Sequence, residues 1–304
     1  MATIPGYVKE VPRKTPVPER RSTDPDRLSP VAALVRRHDR DRYQTVLFAP
    51  AARREALFAL YAFNYEIARV RESVTQPMLG RIRLQWWREN IAAAFEGGPV
   101  RHHPVAEALT GAIRELALTR AHFDRLIEAR ETDLDDQPPP SLAALGEYAE
   151  ASSGRLVHLA LEMLGVHDPG AGEAGLHVGI AYSLAGLLRA MPFHARAGRQ
   201  FIPADIAARS GLSEQDYRAL RSTPALRSAT AELAAAASWH LGFARARRAK
   251  IPRSALPALL PAVVAQRSLL RLKRAAYDPF DPAVAVVDPL QSWRLVAAAL
   301  LKRY

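Results

Sequence analysis

The densest acidic group in the chain is Asp133, Asp135 and Asp136. Carboxylates at that density suit a hard cation, which takes oxygen ligands. A calcium loop would also need a glycine at its sharp turn and a glutamate further along, and both are missing here. A solvated acidic turn ahead of Pro138 is therefore expected. His102 and His103 are adjacent, but neighbouring side chains on a helix do not share a face, and Pro104 places the pair in a loop or at a helix start. His158 and His177 fall on separate helical segments and read as core or boundary histidines. The chain has no Walker loop, no strand-borne GxGxxG, no HExxH and no GxSxG. It also has no cysteine, which excludes disulfides, thiolate metal sites and thiol nucleophiles.

Bulk composition sets the frame for any site. The 304 residues are 49% hydrophobic and 24% charged, the balance of a globular chain with a large core. The net charge of +11 rests almost wholly on arginine, since only Lys9, Lys14, Lys250, Lys273 and Lys302 are lysines. Basic residues cluster at 9–21 and 245–253. Two readings stand side by side: a solvated helix end with a charged arm, or attraction to an anionic partner such as acidic lipid headgroups, an acidic protein patch or a diphosphate. Nucleic acid is not expected, because no zinc-finger, RNP or basic-zipper pattern accompanies the charge. No apolar run reaches the roughly 18 to 20 residues of a membrane span. Residues 1–30 lack the apolar stretch of a signal peptide and mix Pro, Asp, Glu and Arg too freely for a transit peptide. The expected location is the cytoplasm, with peripheral contact to the inner membrane as the option the charge leaves open.

The positioning elements read as helices throughout. Residues 1–28 are Pro-rich and charged, the composition of a disordered arm. From 29 to 304 one all-α domain is expected, its helices arranged around a central cavity. Helices are predicted over 51–73, from Pro77 to about 95, and over 104–118 and 120–131. Gly97, Gly98 and Pro99 stop the second of these, and Pro138, Pro139 and Pro140 interrupt the chain later. Ser141 is a good N-cap for a short helix leading into one over 148–164. Further helices are predicted over 172–191, 224–249, 253–276 and 289–302, with a turn at 203–209 and an N-cap at Ser213.

Some stretches carry a family resemblance. Leu60-Tyr61-Ala62-Phe63-Asn64-Tyr65-Glu66-Ile67-Ala68-Arg69-Val70-Arg71-Glu72 is followed by Arg83-Leu84-Gln85-Trp86-Trp87-Arg88. Tyr148-Ala149-Glu150-Ala151-Ser152-Ser153-Gly154 comes next, then Ala185-Gly186-Leu187-Leu188-Arg189-Ala190-Met191-Pro192-Phe193-His194 and Gly198-Arg199-Gln200-Phe201-Ile202-Pro203. In order and spacing these resemble the landmarks of squalene and phytoene synthases, from about Asp41 to the Ala276 region. The resemblance implies the isoprenoid synthase fold. It also implies two aspartate-rich helices facing each other, whose carboxylates hold the magnesium that binds prenyl diphosphates. The spacing has a reason: residues i and i+4 share a helix face, so DxxxD presents two oxygen ligands together.

Laid on this sequence, the first motif falls at Ala68, Arg69 and Glu72, where only Glu72 keeps an acid. The second falls at Ala190 and His194, and neither is an aspartate. An arginine at 69 repels a cation and can pair with Glu66 or Glu72 instead. Pro192 removes a helical hydrogen bond at a cost of about 3 kcal/mol, so the helix is expected to kink or end there, leaving 190 and 194 on no common face. Arg53, Arg189 and Arg199 match arginines that help the synthases hold diphosphate; ion pairing and helix capping are their other reading. Trp86 and Trp87 are expected to pack, one ring inside and one at a boundary.

The wording of the segments around Asn64, Glu72 and Pro192 is similar to a branch of the family that keeps the fold, lacks the aspartates and serves the assembly of respiratory complex I. Leu256-Pro257-Ala258-Leu259-Leu260-Pro261 and Gln291-Ser292-Trp293-Arg294 extend that similarity. The resemblance to this branch implies a non-catalytic protein without a cofactor, whose partners are complex I subunits or other assembly proteins. Two alternatives stay open: a magnesium-dependent head-to-head prenyltransferase, and a binding protein for an isoprenoid or quinone tail.

Overall fold

The computed structural model describes residues 28–135, 137–286 and 288–304. The arm expected over 1–28, with the basic cluster at 9–21, lies outside the described residues except for Leu28. Among the described residues there are helices and connections but no strand.

The first helices start on side-chain caps. Ser29 accepts a hydrogen bond from the Ala32 N–H at 3.1 Å and opens α1 (Pro30–His38). Asp39 ends α1 and caps α2 (Arg40–Val46) by accepting from the Arg42 N–H at 3.1 Å, satisfying donors that have no partner inside the helix. Then come α3 (Ala51–Ala68) and α4 (Pro77–Glu96), the latter with Pro77 in its first turn and Gly97 at φ 74° as its left-handed stop. Helix α3 ends earlier than predicted; a 3₁₀ turn, Arg71–Ser73, follows it. Helices α5 (Pro104–Glu115), α6 (Arg120–Thr132) and α7 (Leu142–Ala149, capped by Ser141) bring the chain to the Tyr148–Gly154 landmark.

There the structure departs from the continuous helix expected over 148–164. Glu150–Gly154 forms a π-helical turn before α8 (Arg155–Met163). A close helix crossing coincides with it. Helix α9 (Pro169–Arg196) crosses this turn at Gly179, where a Cβ would stand 2.6 Å from Gly154 Cα and 2.6 Å from the Ser153 carbonyl oxygen. Backbone meets backbone, and only glycine leaves room.

Helix α9 is the axis of the molecule. It packs on α8, on the π turn and on two later helices, α12 (Pro224–Ala246) and α14 (Pro261–Arg274). It also runs through Pro192 without ending, contrary to one of the two outcomes foreseen for that residue. Ala190 and His194 therefore lie one turn apart within one helix and share a face. The lost N–H leaves the Leu188 carbonyl without its helical donor, a cost the packed bundle absorbs.

After α9 come α10 (Ala204–Ser210), α11 (Glu214–Arg218, capped by Ser213), α12 (Pro224–Ala246, capped by Thr223) and α13 (Leu256–Leu259). Helix α14 (Pro261–Arg274) is set at 42° to the segment before it, so Pro261 divides the helix predicted over 253–276. Short α15 (Pro282–Ala285) and α16 (Gln291–Leu300) close the fold. The main core is a large cluster with Phe63, Phe123, Leu84, Ile91 and Leu126 fully enclosed, and a smaller one of Leu260, Leu295 and Ala298 lies under α16. Among the described residues α9 is long and apolar enough to cross a membrane, and Arg253–Leu259 with Pro261–Arg274 is so only if the bent pair is counted as one span; 56% of the apolar window of α9 is buried inside the bundle.

Candidate functional site

The first motif sits where α3 runs out. Ala68 is the last α-helical residue, Arg69 is the C-cap, and Glu72 lies exposed on the 3₁₀ turn. The tighter winding after Arg69 breaks the i, i+4 register that would align two ligands. Arg69 turns back on its own helix, with Nε 3.9 Å from Glu66 and its guanidinium over the Tyr65 ring. Tyr65 in turn stacks on His38 with ring centroids 4.4 Å apart.

On α9, Ala190 brings only a methyl group to its face. His194 is mostly buried, edge-on to Phe201 with centroids 4.7 Å apart, and its Nδ1 is enclosed without a hydrogen-bond partner. Burial first, and the Arg199 cation second, push its pKa down to about 4. At neutral pH this imidazole is uncharged, wedged between an aromatic ring and a guanidinium.

The arginines matched to diphosphate contacts are placed differently from one another. Both terminal nitrogens of the Arg189 guanidinium, Nη1 and Nη2, donate to Asp41 Oδ2 at 3.2 Å. Tyr182 donates its hydroxyl to the same oxygen at 3.2 Å, and Gln291 donates to Oδ1 at 2.8 Å. Arg199 donates to Asp133 Oδ1 and to the Asp133 carbonyl oxygen, each at 3.3 Å, and lies over the Phe201 ring. Arg53 is half-buried near the start of α3 and forms no ion pair among the described residues.

Asp133 corrects the expectation of a solvated acidic turn. It is buried, and besides Arg199 it accepts from Arg130 at 3.2 Å and from the Tyr148 hydroxyl at 3.0 Å. Arg130 also donates to that hydroxyl at 2.6 Å. Burial and the neighbouring carboxylate hold Tyr148 firmly protonated, although the Arg130 cation opposes them. A cavity of about 420 Å³ opens beside this group, walled by Tyr148, Phe201 and Pro139. A second, of about 440 Å³, lies beside Asp41, Tyr182 and Arg189 and reaches Arg267 and Asp288. Between α2 and α9, Arg42 pairs with Asp39 at 2.8 Å under the rings of Tyr61 and Tyr182.

Other residues singled out in the sequence have local partners. His102 is fully exposed beside Glu107, whereas His103 packs its ring on Trp86 and Trp87, so the pair diverges. Trp87 is buried and Trp86 half-buried, as expected. His158 bonds to the Gly172 carbonyl at 2.9 Å, and His177 Nδ1 meets His240 Nδ1 at 2.8 Å.

Magnesium is the metal this fold implies. The motif positions offer two methyl groups, a paired arginine, an uncharged imidazole and the exposed Glu72, and this donor set does not fit a hard cation. Among the described residues, no three His, Asp or Glu side chains converge on a point where a metal could sit. What the arrangement does provide is internal pairing: Arg189 is held by Asp41, while Arg130 and Arg199 share the single carboxylate of Asp133. Sequence reading assigned Asp41 and Asp133 no such role, because Arg189 and Arg199 lie 148 and 66 positions from them. The available signal was indirect: arginines expected inside a fold without its usual carboxylates need partners from elsewhere.

With this bundle and this centre in view, the chain belongs to the squalene/phytoene synthase family, whose model matches residues 35–296. Among its relatives is the rat (Rattus norvegicus) protein named NADH dehydrogenase (ubiquinone) complex I, assembly factor 6. The two are 34% identical over 271 residues, covering 89% of this chain and 81% of the rat protein. A presqualene diphosphate synthase of Rhodopseudomonas palustris is 28% identical over 204 residues, covering 66% of this chain and 72% of that enzyme. The fold matches a crystal structure of a dehydrosqualene synthase in complex with ligand at a TM-score of 0.78, over 90% of this chain and 96% of that one, at 19% identity.

Proposed function

We propose that this chain is a non-catalytic member of the squalene/phytoene synthase family that acts in the assembly of respiratory complex I through contacts with protein partners. One observation carries the reading: where the synthase chemistry needs carboxylates facing a diphosphate, only the exposed Glu72 is left, and Arg189 and Arg199 are already closed by the chain's own Asp41 and Asp133. An arginine neutralised in this way offers little to an incoming diphosphate, since binding would require breaking a part-buried pair. The relative named as a complex I assembly factor, aligned over most of the chain, supports the same reading.

Deleting the gene and resolving membrane complexes on a native gel with an NADH-oxidation stain tests this reading. Loss of assembled NADH:quinone oxidoreductase, restored by the wild-type chain, is the expected result; normal complex I in the deletion strain would sink it. The enzymatic alternative is tested on purified protein with farnesyl or geranylgeranyl diphosphate and magnesium. A condensation product that disappears in Glu72→Ala would replace the proposal with a prenyltransferase.

A further inference from the structure

The last helix exposes more apolar surface than its size explains. Leu295 and Ala298 are its inward residues, packed with Phe48, Leu256, Leu260 and Val263. Its outward side is apolar too: Trp293 is 71% exposed, Leu300 72% and Leu301 64%, with Val296 between them. Positions 293, 296 and 300 fall on one helical stripe. The helix is nonetheless firmly held, by Gln44 donating to Ser292 at 2.8 Å and by Arg245 donating to the Tyr304 carbonyl at 2.7 Å.

A second observation concerns charge. Arg248, Lys250, Arg253, Lys302 and Arg303 are all exposed. None of the five forms an ion pair among the described residues. Arg248, Arg253 and Lys302 line one shallow crevice with Tyr304, so the basic turn after α12 and the end of α16 form one surface. No Asp or Glu occurs between Glu232 and Asp278, nor after Asp288. These cations therefore draw no counter-charge from their own stretches of chain.

We propose that this face docks on a bilayer carrying acidic headgroups, with Trp293, Val296, Leu300 and Leu301 entering the headgroup boundary and the five cations set over lipid phosphates. An indole belongs at that boundary, where its ring is buried while its N–H stays wet. Aliphatic tips beside unpaired cations are the composition of a surface-bound helix. A second copy of the chain fits poorly, because a two-fold contact would set the same cations against one another. The inference stands apart from the assembly reading, and the measurement involves no complex I.

The test is flotation of the purified full chain with phosphatidylcholine vesicles, with and without about one third phosphatidylglycerol. The wild type is expected to float with the acidic vesicles, much less with neutral ones, and to be released by high salt. The variants Trp293→Glu/Leu300→Glu and Arg248→Glu/Arg253→Glu/Lys302→Glu are expected to bind at least about tenfold more weakly. All five positions are exposed, so thermal melts by circular dichroism should match wild type and exclude misfolding. Absence of flotation with acidic vesicles, or wild-type binding by both variants, overturns the proposal. So does a dimer in light scattering that Trp293→Glu splits, since the face would then be an interface between copies.

Discussion

Arg199 and Asp133, 66 positions apart in the sequence, meet at 3.3 Å, and the second carboxylate oxygen of Asp133 takes Arg130 at 3.2 Å. One buried carboxylate thus holds two buried guanidiniums and the Tyr148 hydroxyl, tying α6, α7 and the segment after α9 together.

Asp133→Asn keeps the shape and removes the charge. Two largely buried arginines would then face a neutral amide, and breaking such a group from one side costs about 3 to 5 kcal/mol. Urea unfolding followed by circular dichroism should show that loss. A change below about 1 kcal/mol would mean that water already screens the cluster.

Helix α9 offers a contrast between two glycines. Gly179→Ala drives a Cβ into the backbone of Ser153 and Gly154, and should cost about 1 to 3 kcal/mol or more. At Gly186 a Cβ meets nothing within 4 Å, so Gly186→Ala should gain up to about 1 kcal/mol from helix propensity alone. Equal effects in thermal melts would contradict the close crossing of α9 over the π turn.

Stability should fall on mild acidification through His194. Burial and then Arg199 hold its folded pKa near 4, below the usual histidine value of 6.5. The unfolded chain therefore takes up the proton first, so the stabilisation is complete above pH 6.5 and is lost progressively as pH falls through about 4. His240, also pushed down to about 4 by burial and by His177, adds to the same slope. His194→Gln should flatten the pH dependence of urea midpoints over that window without abolishing it; an unchanged slope would place His194 in water.

Magnesium should leave the protein untouched. A ligand that binds the folded state raises its melting temperature, and the motif positions present no suitable donor set. At about 10 mM magnesium the melt should move by less than about 1 °C. A larger shift, lost in Glu72→Ala, would reveal a site around the one remaining acid.

Most helices from Ala51 onward and their order were legible in the sequence, because the apolar periodicity, Pro77 in a first turn and the Ser141 and Ser213 caps agree. Helices α1 and α2 and the break at Pro261 were not, and three further features also escaped. The π turn at Glu150–Gly154 lies against a glycine 25 or more positions away, and local pattern carries no trace of that crossing. The continuation of α9 past Pro192 reflects packing on both sides of the helix, which outweighs one lost hydrogen bond. Asp133 looked like a surface acid since Asp135 and Pro138 surround it; its burial depends on Arg199, brought by a distant segment. The motif positions were placed by the family resemblance, whereas the partners of Arg189 and Arg199 needed three dimensions.

The pairing of Arg189 with Asp41, and the sharing of Asp133 between Arg130 and Arg199, has a bearing on the evolution of such a centre. A new aspartate at 190 or 194 would enter an interior rich in arginine, and a carboxylate drawn to a guanidinium is not free to hold a metal. Removing Asp41 or Asp133 first would strand arginines without a counter-charge. A chain with this interior therefore reaches a metal site only through several coordinated changes, in which arginines leave as acids arrive.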